Sequence, residues 1–355
     1  MRRLRVVLLM IAAATPLVAS PQAPPPSGLA ALLGRELARF PATTGIFVKH
    51  LDTGETAGVR ADQAFSSASL IKLTFMLRAY RLADEGHLDL RSREVISRAQ
   101  WRHGTGTLQY LEPGIEPTLR DLITQMIIVS DNTATDRVIE AVGGIDAVNG
   151  WLASRGYADL HANGRPHEYR RVLLGMLDPA LADLTAEETT GLLYAMDGNP
   201  LFTAYRTVFT GPKAAWVDIV TTPANRQRFA RLREEETSRN PALWLGSMTP
   251  RATARLLEDI ARGTAASPYS TAEMLNALRR QQLGARRLPH FVAVPVAHKT
   301  GDGGTIANDA GILYTRSGPV VVAFFANGIQ GPYAEAEDRI GRIGRLIVEY
   351  FDGRR

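Results

Sequence analysis

The strand-like segments of this 355-residue chain lie near its two ends, and helical pattern fills the middle. Residues 45–51 and 55–59 flank Asp52-Thr53-Gly54, a hairpin signal. Residues 291–297, 310–315 and 320–326 read as strands, the last two joined by Arg316-Ser317-Gly318-Pro319. Between the ends, apolar spacing predicts helices over 69–83, 119–129, 134–142, 249–262 and 274–282. Helices at 29–40 and 333–351 bracket the whole. One sheet assembled from both chain ends, with a helical domain inserted between, satisfies this order, and the fold class is α+β.

The expected organisation follows. Residues 1–20 form a leader and 21–28 a Pro-rich linker; 29–65 and 263–355 are two parts of a sheet domain, and 66–262 are the helical domain. The leader has Arg2, Arg3 and Arg5 before an uncharged apolar run at 6–14, the pattern of a secretory signal peptide. A periplasmic or secreted protein is expected, with no stable membrane anchor after cleavage.

Composition removes several function classes. There are no cysteines, so disulfide scaffolds, thiolate metal sites, cysteine nucleophiles and an N-terminal lipid anchor are excluded. The net charge of +5 falls to +2 without the three leader arginines, and charges of both signs are interspersed. No nucleic-acid-binding stripe results. The seven histidines form neither H-E-x-x-H nor H-x-x-E-H, so no metal is expected, and no G-x-G-x-x-G or phosphate loop implies a cofactor. Nothing indicates oligomerisation, and a monomer acting on a small molecule is expected.

Three short stretches carry chemistry. In Ser69-Leu70-Ile71-Lys72, residues three apart share a helix face, so the hydroxyl and the amine can meet at a first turn. Lys72 is surrounded by apolar residues, and desolvation makes an amine easier to deprotonate. A serine needs such a base to become a nucleophile, and free N–H groups at the helix start can receive an oxyanion. Alone, this spacing is common in unrelated chains. Ser130-Asp131-Asn132 presents a hydroxyl and a carboxamide at a helix end, where an ordinary capping turn is the commoner meaning. Lys299-Thr300-Gly301 precedes Asp302-Gly303-Gly304 after a strand; it could grip a carboxylate, or be a basic residue before a turn.

The order of these motifs, with Ser130 61 residues after Ser69, resembles the class A β-lactamases among the penicillin-recognising serine hydrolases. Gly106-Thr107-Leu108-Gln109-Tyr110-Leu111 and Asn308-Asp309 support it, and the resemblance covers residues 29–158 and 248–351. It implies a β-lactamase/transpeptidase-like fold and a small-molecule β-lactam or acyl-peptide substrate. By the same resemblance Ser69 forms an acyl-enzyme, Lys72 assists proton removal and Ser130 passes a proton to the lactam nitrogen. Asn132 would bind the acylamide, and Lys299 with Thr300 the substrate carboxylate. The N–H groups of Ser69 and Asp302, beside Gly301, would form the oxyanion hole. An aspartate at 302 departs from the family's small neutral residue, and its charge would repel an anionic substrate unless turned away.

The middle departs further. Class A deacylation uses a glutamate followed by Leu-Asn on a loop after Ser-Asp-Asn. Here the nearest candidate is Glu168, in Arg165-Pro166-His167-Glu168-Tyr169-Arg170, without Leu-Asn; the bland alternative pairs it with Arg170 or Arg171. Glu187 and Glu188 read as the acidic first turn of a helix. Lys299 follows Ser130 by 169 residues, far more than the family's usual interval. The excess falls at 165–247, contains Phe202, Tyr205, Phe209, Trp216, Phe229 and Trp244, and is expected to form a lid or subdomain over the site. Poor β-lactam turnover, as in a D-alanyl-D-alanine peptidase-like enzyme, is the alternative to a β-lactamase.

Overall fold

The computed structural model describes residues 28–240 and 245–353; the leader, nearly all of the linker and Trp244 fall outside them. Helix α1 (Gly28–Ala38) leads into strands β1 (Thr43–His50), β2 (Thr56–Val59) and the short β3 (Phe65–Ser66). Then come α2 (Lys72–Asp84), α3 (Leu119–Ile128), α4 (Asn132–Ala141), α5 (Gly144–Ser154) and β4 (Leu160–Ala162). Helices α6 (Glu168–Leu177), α7 (Ala186–Asp197), α8 (Ala214–Thr221) and α9 (Pro223–Arg239) precede β5 (Gly246–Met248). Helices α10 (Pro250–Ala261) and α11 (Pro268–Arg279), strands β6 (Val296–Asp302), β7 (Ala307–Thr315) and β8 (Gly318–Asn327), and α12 (Tyr333–Asp352) complete the chain.

The expected sheet forms from both ends. Its order is β2-β1-β8-β7-β6, with every neighbour antiparallel. The period of two along a strand divides its side chains between two cores. Val320, Val322, Phe324 and Ala326 join α1 and α12 on one face, while Val321, Ala323 and Phe325 face the helical side. Burying each of the larger residues contributes about 1.5–3 kcal/mol. Helix α10 packs across β1, β7 and β8 on that second face. Its start is the one the sequence signals, because Thr249 Oγ1 accepts from Ala252 N at 3.2 Å and Pro250 occupies the first turn.

Two elements shift from expectation. The strand expected over 291–297 begins only at Val296, so Lys299-Thr300-Gly301 lies within it. Pro295 has no N–H to give a ladder, and only its carbonyl pairs, with Tyr314 N at 3.0 Å. The helix expected over 274–282 starts earlier, at Pro268, where Ser267 caps Ser270 N at 3.2 Å.

A second, three-stranded sheet, β3-β5-β4, brings the insertion to the nucleophile. The chain leaves from β4 and returns through β5, whose Ser247 pairs with Ser66. Ser67 N then donates to Gly246 O at 2.9 Å. Everything between those strands is therefore rooted beside Ser69. The insertion is also tied to the loop before Ser130: Tyr205 Oη donates to Arg98 O at 2.9 Å and Tyr194 Oη to Gln109 Oε1 at 2.6 Å.

Candidate active site

Ser69 sits on a 3-10 turn, Ala68–Ile71, that runs directly into α2, rather than on α2 itself. Three residues per turn place Ser69 and Lys72 in line on one side. Ala68 has φ 44°, a left-handed value that costs an L-residue about 1–3 kcal/mol and turns the chain sharply before the nucleophile. Asn308 holds this turn, its Nδ2 donating to Ser66 O at 2.9 Å and Ser67 O at 3.1 Å. Ser66 N donates to Asn327 Oδ1 at 2.9 Å, so β7 and β8 together fix the approach to Ser69.

Lys72 is completely buried. Its Nζ lies 3.0 Å from Asn132 Oδ1, 3.1 Å from Ser130 Oγ and 2.7 Å from Ser130 O. Lys299, equally buried, places Nζ 3.1 Å from the same Ser130 Oγ and 2.9 Å from Thr300 O. Burial first, and then the charge of Lys299, push the Lys72 amine well below its ordinary value. Burial brings Lys299 down to about 8, against the opposing pull of Asp302 and Asp309. One hydroxyl thus joins two buried amines.

Ser130 is held by strain and by its neighbours. Its φ is 56°, and its carbonyl also accepts from Thr105 Oγ1 at 2.8 Å. Asp131 caps Ala134 N at 2.9 Å and takes Thr107 N at 2.7 Å and Leu108 N at 2.8 Å. The capping reading of Ser-Asp-Asn therefore holds for Asp131, while Ser130 and Asn132 remain turned to the cleft. Asn132 Nδ2 donates to His103 O at 3.0 Å.

Ser69, Ser130, Asn132 and Asp302 border a cleft of about 520 Å³, within the usual range for a small-molecule site. Asp302 resolves the charge problem posed by the sequence. It borders the cleft, and its carboxylate pairs with Arg287, which also donates to Asn308 O at 2.8 Å and Glu337 Oε1 at 3.1 Å. Burial works to raise the Asp302 carboxyl, but the charge and hydrogen bond of Arg287, then the charge of Lys299, hold it below the usual carboxylate range. Thr300 lies one residue along from Lys299 and Gly301, and its methyl packs at Gly284. It does not border the open cleft, and Lys299 stands behind Ser130. Gly301 is required for closeness: a Cβ there would lie 2.4 Å from Ser67 O.

Glu168 is not brought to this group. Its Oε2 accepts from Arg165 N at 2.6 Å at the start of α6, and it does not border the cleft. Neither alternative pairing with Arg170 nor with Arg171 forms. Glu188 completes a capping box with Thr185 and pairs with Lys213 at 2.6 Å, the first-turn role read from sequence. Among the described residues, only Asp197 and Asp302 supply carboxylates to the cleft wall. His298 pairs with Asp309 at 2.8 Å within the sheet.

The insertion builds the opposite wall, with Arg170 and Leu173 from α6, Leu193, Met196 and Asp197 from α7, and Arg226, Phe229 and Arg233 from α9. His103 completes it, its Nε2 2.7 Å from Asp197 Oδ2. Burial, outweighing Asp197, lowers the His103 imidazole below its ordinary value. Sequence reasoning singled out none of these side chains as site residues. The excess length between Ser130 and Lys299 was the only signal of this wall.

Comparison with known proteins decides the family. The sequence model of the beta-lactamase enzyme family matches residues 28–351. The chain belongs to that family. Among solved structures, this family member is similar to the β-lactamase of Sphaerobacter thermophilus DSM 20745 at 26% identity, covering 91% of this chain and 97% of that one, with TM-score 0.65. An ancestral class A β-lactamase shares the fold at 21% identity, covering 91% of this chain and 100% of that one, with TM-score 0.67. PBP-A shares it at 23% identity over 93% and 99% of the two chains, with TM-score 0.65. No curated protein sequence matches the chain.

Proposed function

We propose that the protein is a penicillin-recognising serine acylhydrolase, in which β-lactams or acyl-D-amino acid peptides acylate Ser69 and water releases the acyl group slowly. One observation carries this reading: Ser130 Oγ lies 3.1 Å from both Lys72 Nζ and Lys299 Nζ at a cleft that no glutamate borders among the described residues. Lys72, whose burial makes its amine easier to deprotonate, takes the Ser69 proton as Oγ attacks the carbonyl carbon. The new C–O bond forms and the amide C–N bond breaks. The proton passes from Lys72 through Ser130 Oγ to the leaving nitrogen, so charge is conserved without a cofactor. The N–H groups of Ser69 and Asp302 receive the oxyanion, and the Lys299 ammonium attracts the substrate carboxylate.

Release requires a second base. Asp197 is engaged with His103, Asp302 with Arg287 and Glu168 with Arg165 N. Slow deacylation follows, as in a D-alanyl-D-alanine peptidase-like enzyme that turns β-lactams over poorly. A variant of PBP-A, 23% identical to this chain, has been solved as an acyl-enzyme complex with penicillin G, which supports the acylation step of this reading. The second reading, a β-lactamase with steady turnover, draws on the family itself and on the 26%-identical Sphaerobacter β-lactamase. On either reading the leader directs a monomeric enzyme to the periplasm or the outside.

A fluorescent penicillin and a chromogenic cephalosporin test both. A stable label on Ser69, absent from Ser69→Ala, with little colour development supports the proposal. Sustained colour development at rates of roughly 10 per second or more, a typical enzymatic turnover, supports the second reading. A folded protein that gives neither signal overturns both.

A further inference from the structure

Resting on the proposed acylation of Ser69, we propose that the cleft selects substrates whose acyl group carries an anion beside its amide, and that Arg170 is the residue that recognises it. Arg170 comes from α6, in the insertion, and its guanidinium reaches the bare backbone of Gly104. A Cβ on Gly104 would lie 2.6 Å from Arg170 Nη2 and 2.6 Å from Asn132 Nδ2. Both nitrogens therefore press against the bare Cα of Gly104, so one charged donor and one from the amide-binding residue stand side by side at the cleft wall. Gly104 permits this close approach, with φ 114°, a conformation that itself favours glycine.

The guanidinium is held in place before any ligand arrives. Nη1 donates to Pro166 O at 2.6 Å, and the group lies over the Tyr169 ring, 4.7 Å from its centroid. Nη2 has no acceptor among the described residues. The carboxylates that border the cleft are committed elsewhere: Asp197 Oδ2 to His103 Nε2 at 2.7 Å, and Asp302 to Arg287. Arg226 and Arg233 stand on the same insertion wall, and Arg233 extends to within 3.6 Å of where a Gly304 Cβ would lie. A planar fork beside an amide donor matches a carboxylate set next to a carbonyl.

The test uses three penicillins that differ at one carbon: α-carboxybenzylpenicillin, benzylpenicillin and α-aminobenzylpenicillin. A charge-assisted hydrogen bond predicts that the wild type is acylated about tenfold or more faster by the carboxy compound than by the amino compound. Arg170→Gln brings the ratio of the carboxy to the amino rate, taken within each variant, close to one, and Arg170→Lys restores part of it. Equal rates for the three in the wild type, or an anion preference that survives in Arg170→Gln, overturn the inference. Calorimetry with 2-phenylmalonamate against neutral phenylacetamide reads the same wall without any acylation. If no penicillin acylates Ser69 yet 2-phenylmalonamate binds through Arg170, the proposed function fails and the anion site stands. Equal binding of the two, or binding indifferent to Arg170→Gln, removes the site.

Discussion

The buried Arg287 guanidinium pairs with the carboxylate of Asp302, a residue that borders the cleft. Sequence alone shows only an aspartate beside Lys299-Thr300-Gly301, a position where negative charge opposes an anionic substrate. Arg287 is 1% exposed and bonded to Asn308 O and Glu337 as well, so it couples the nucleophile's support to the charge balance of the cleft. Arg287→Met leaves two acids without their cation and should cost about 3–5 kcal/mol of stability, as for breaking a buried pair. It should also slow acylation, because Asp302 is released to face the substrate carboxylate. Asp302→Ser in the Arg287→Met background should recover much of that acylation rate, whereas alone it should change the rate little. A double-mutant cycle on labelling rates with fluorescent penicillin measures the coupling, and strictly additive effects would show that Arg287 does not act through Asp302.

On the proposed acylation of Ser69, the two lysines should give a bell-shaped pH dependence. Lys72 must be discharged to accept the Ser69 proton, so the rate rises with pH through its lowered value. Lys299 must be charged to attract the substrate carboxylate, so the rate falls as pH passes about 8. The two limbs belong to the coupled pair rather than to either lysine alone. Lys299→Arg, whose cation persists, should move the alkaline limb upward at some loss of rate. An unchanged alkaline limb in that variant would remove Lys299 from the assignment.

Gly301 permits β6 to press against the nucleophile turn. An alanine there would place Cβ 2.4 Å from Ser67 O and 3.2 Å from Leu70 N, both backbone atoms that cannot swing aside. Gly301→Ala should therefore destabilise by about 1–3 kcal/mol, the cost of overpacking. It should also lower acylation by displacing Lys299 and the Asp302 N–H together. Melting temperature and labelling rate should fall in parallel, and unchanged values for both would contradict the close approach.

What was legible followed from local pattern. The apolar runs at 310–315 and 320–326, the cap at Thr249 and the helical spacing between the two chain ends pointed to the sheet and its flanking helices. The Ser69, Ser130 and Lys299 motifs marked a site because their spacing and order narrow the possibilities far more than their composition. Tertiary chemistry hid the rest. Nothing near Asp302 in sequence indicates that Arg287, fifteen residues earlier, captures it. The wall from α6, α7 and α9 depends on β4 and β5 pairing beside Ser66, a long-range contact between three-residue strands with almost no periodic signal. Glu168 shows the ambiguity of local reading, since an acidic residue two positions before Arg170 suits both a catalytic loop and a helix start.

The geometry at Glu168 makes that ambiguity testable. Its Oε2 accepts from Arg165 N at 2.6 Å, and a Cβ on Gly164 would lie 2.5 Å from the same oxygen, so the carboxylate is packed into its own turn. A glutamine keeps an acceptor oxygen on the same stem, so Glu168→Gln should preserve the turn and cost under about 1 kcal/mol, the scale of an ordinary hydrogen bond. It should leave both acylation and release rates within about twofold, a margin of roughly 0.4 kcal/mol, because no proton passes through this group. Glu168→Ala should cost about 1 kcal/mol through the lost acceptor and still release the acyl group at the parent rate. Single-turnover release of a fluorescent penicilloyl label, followed by intact-protein mass, separates the steps. Accumulation of acyl-enzyme in Glu168→Gln beyond the parent would mean that the carboxylate leaves Arg165 during the reaction and reaches the ester. The slow-release proposal would then lose the observation on which it rests.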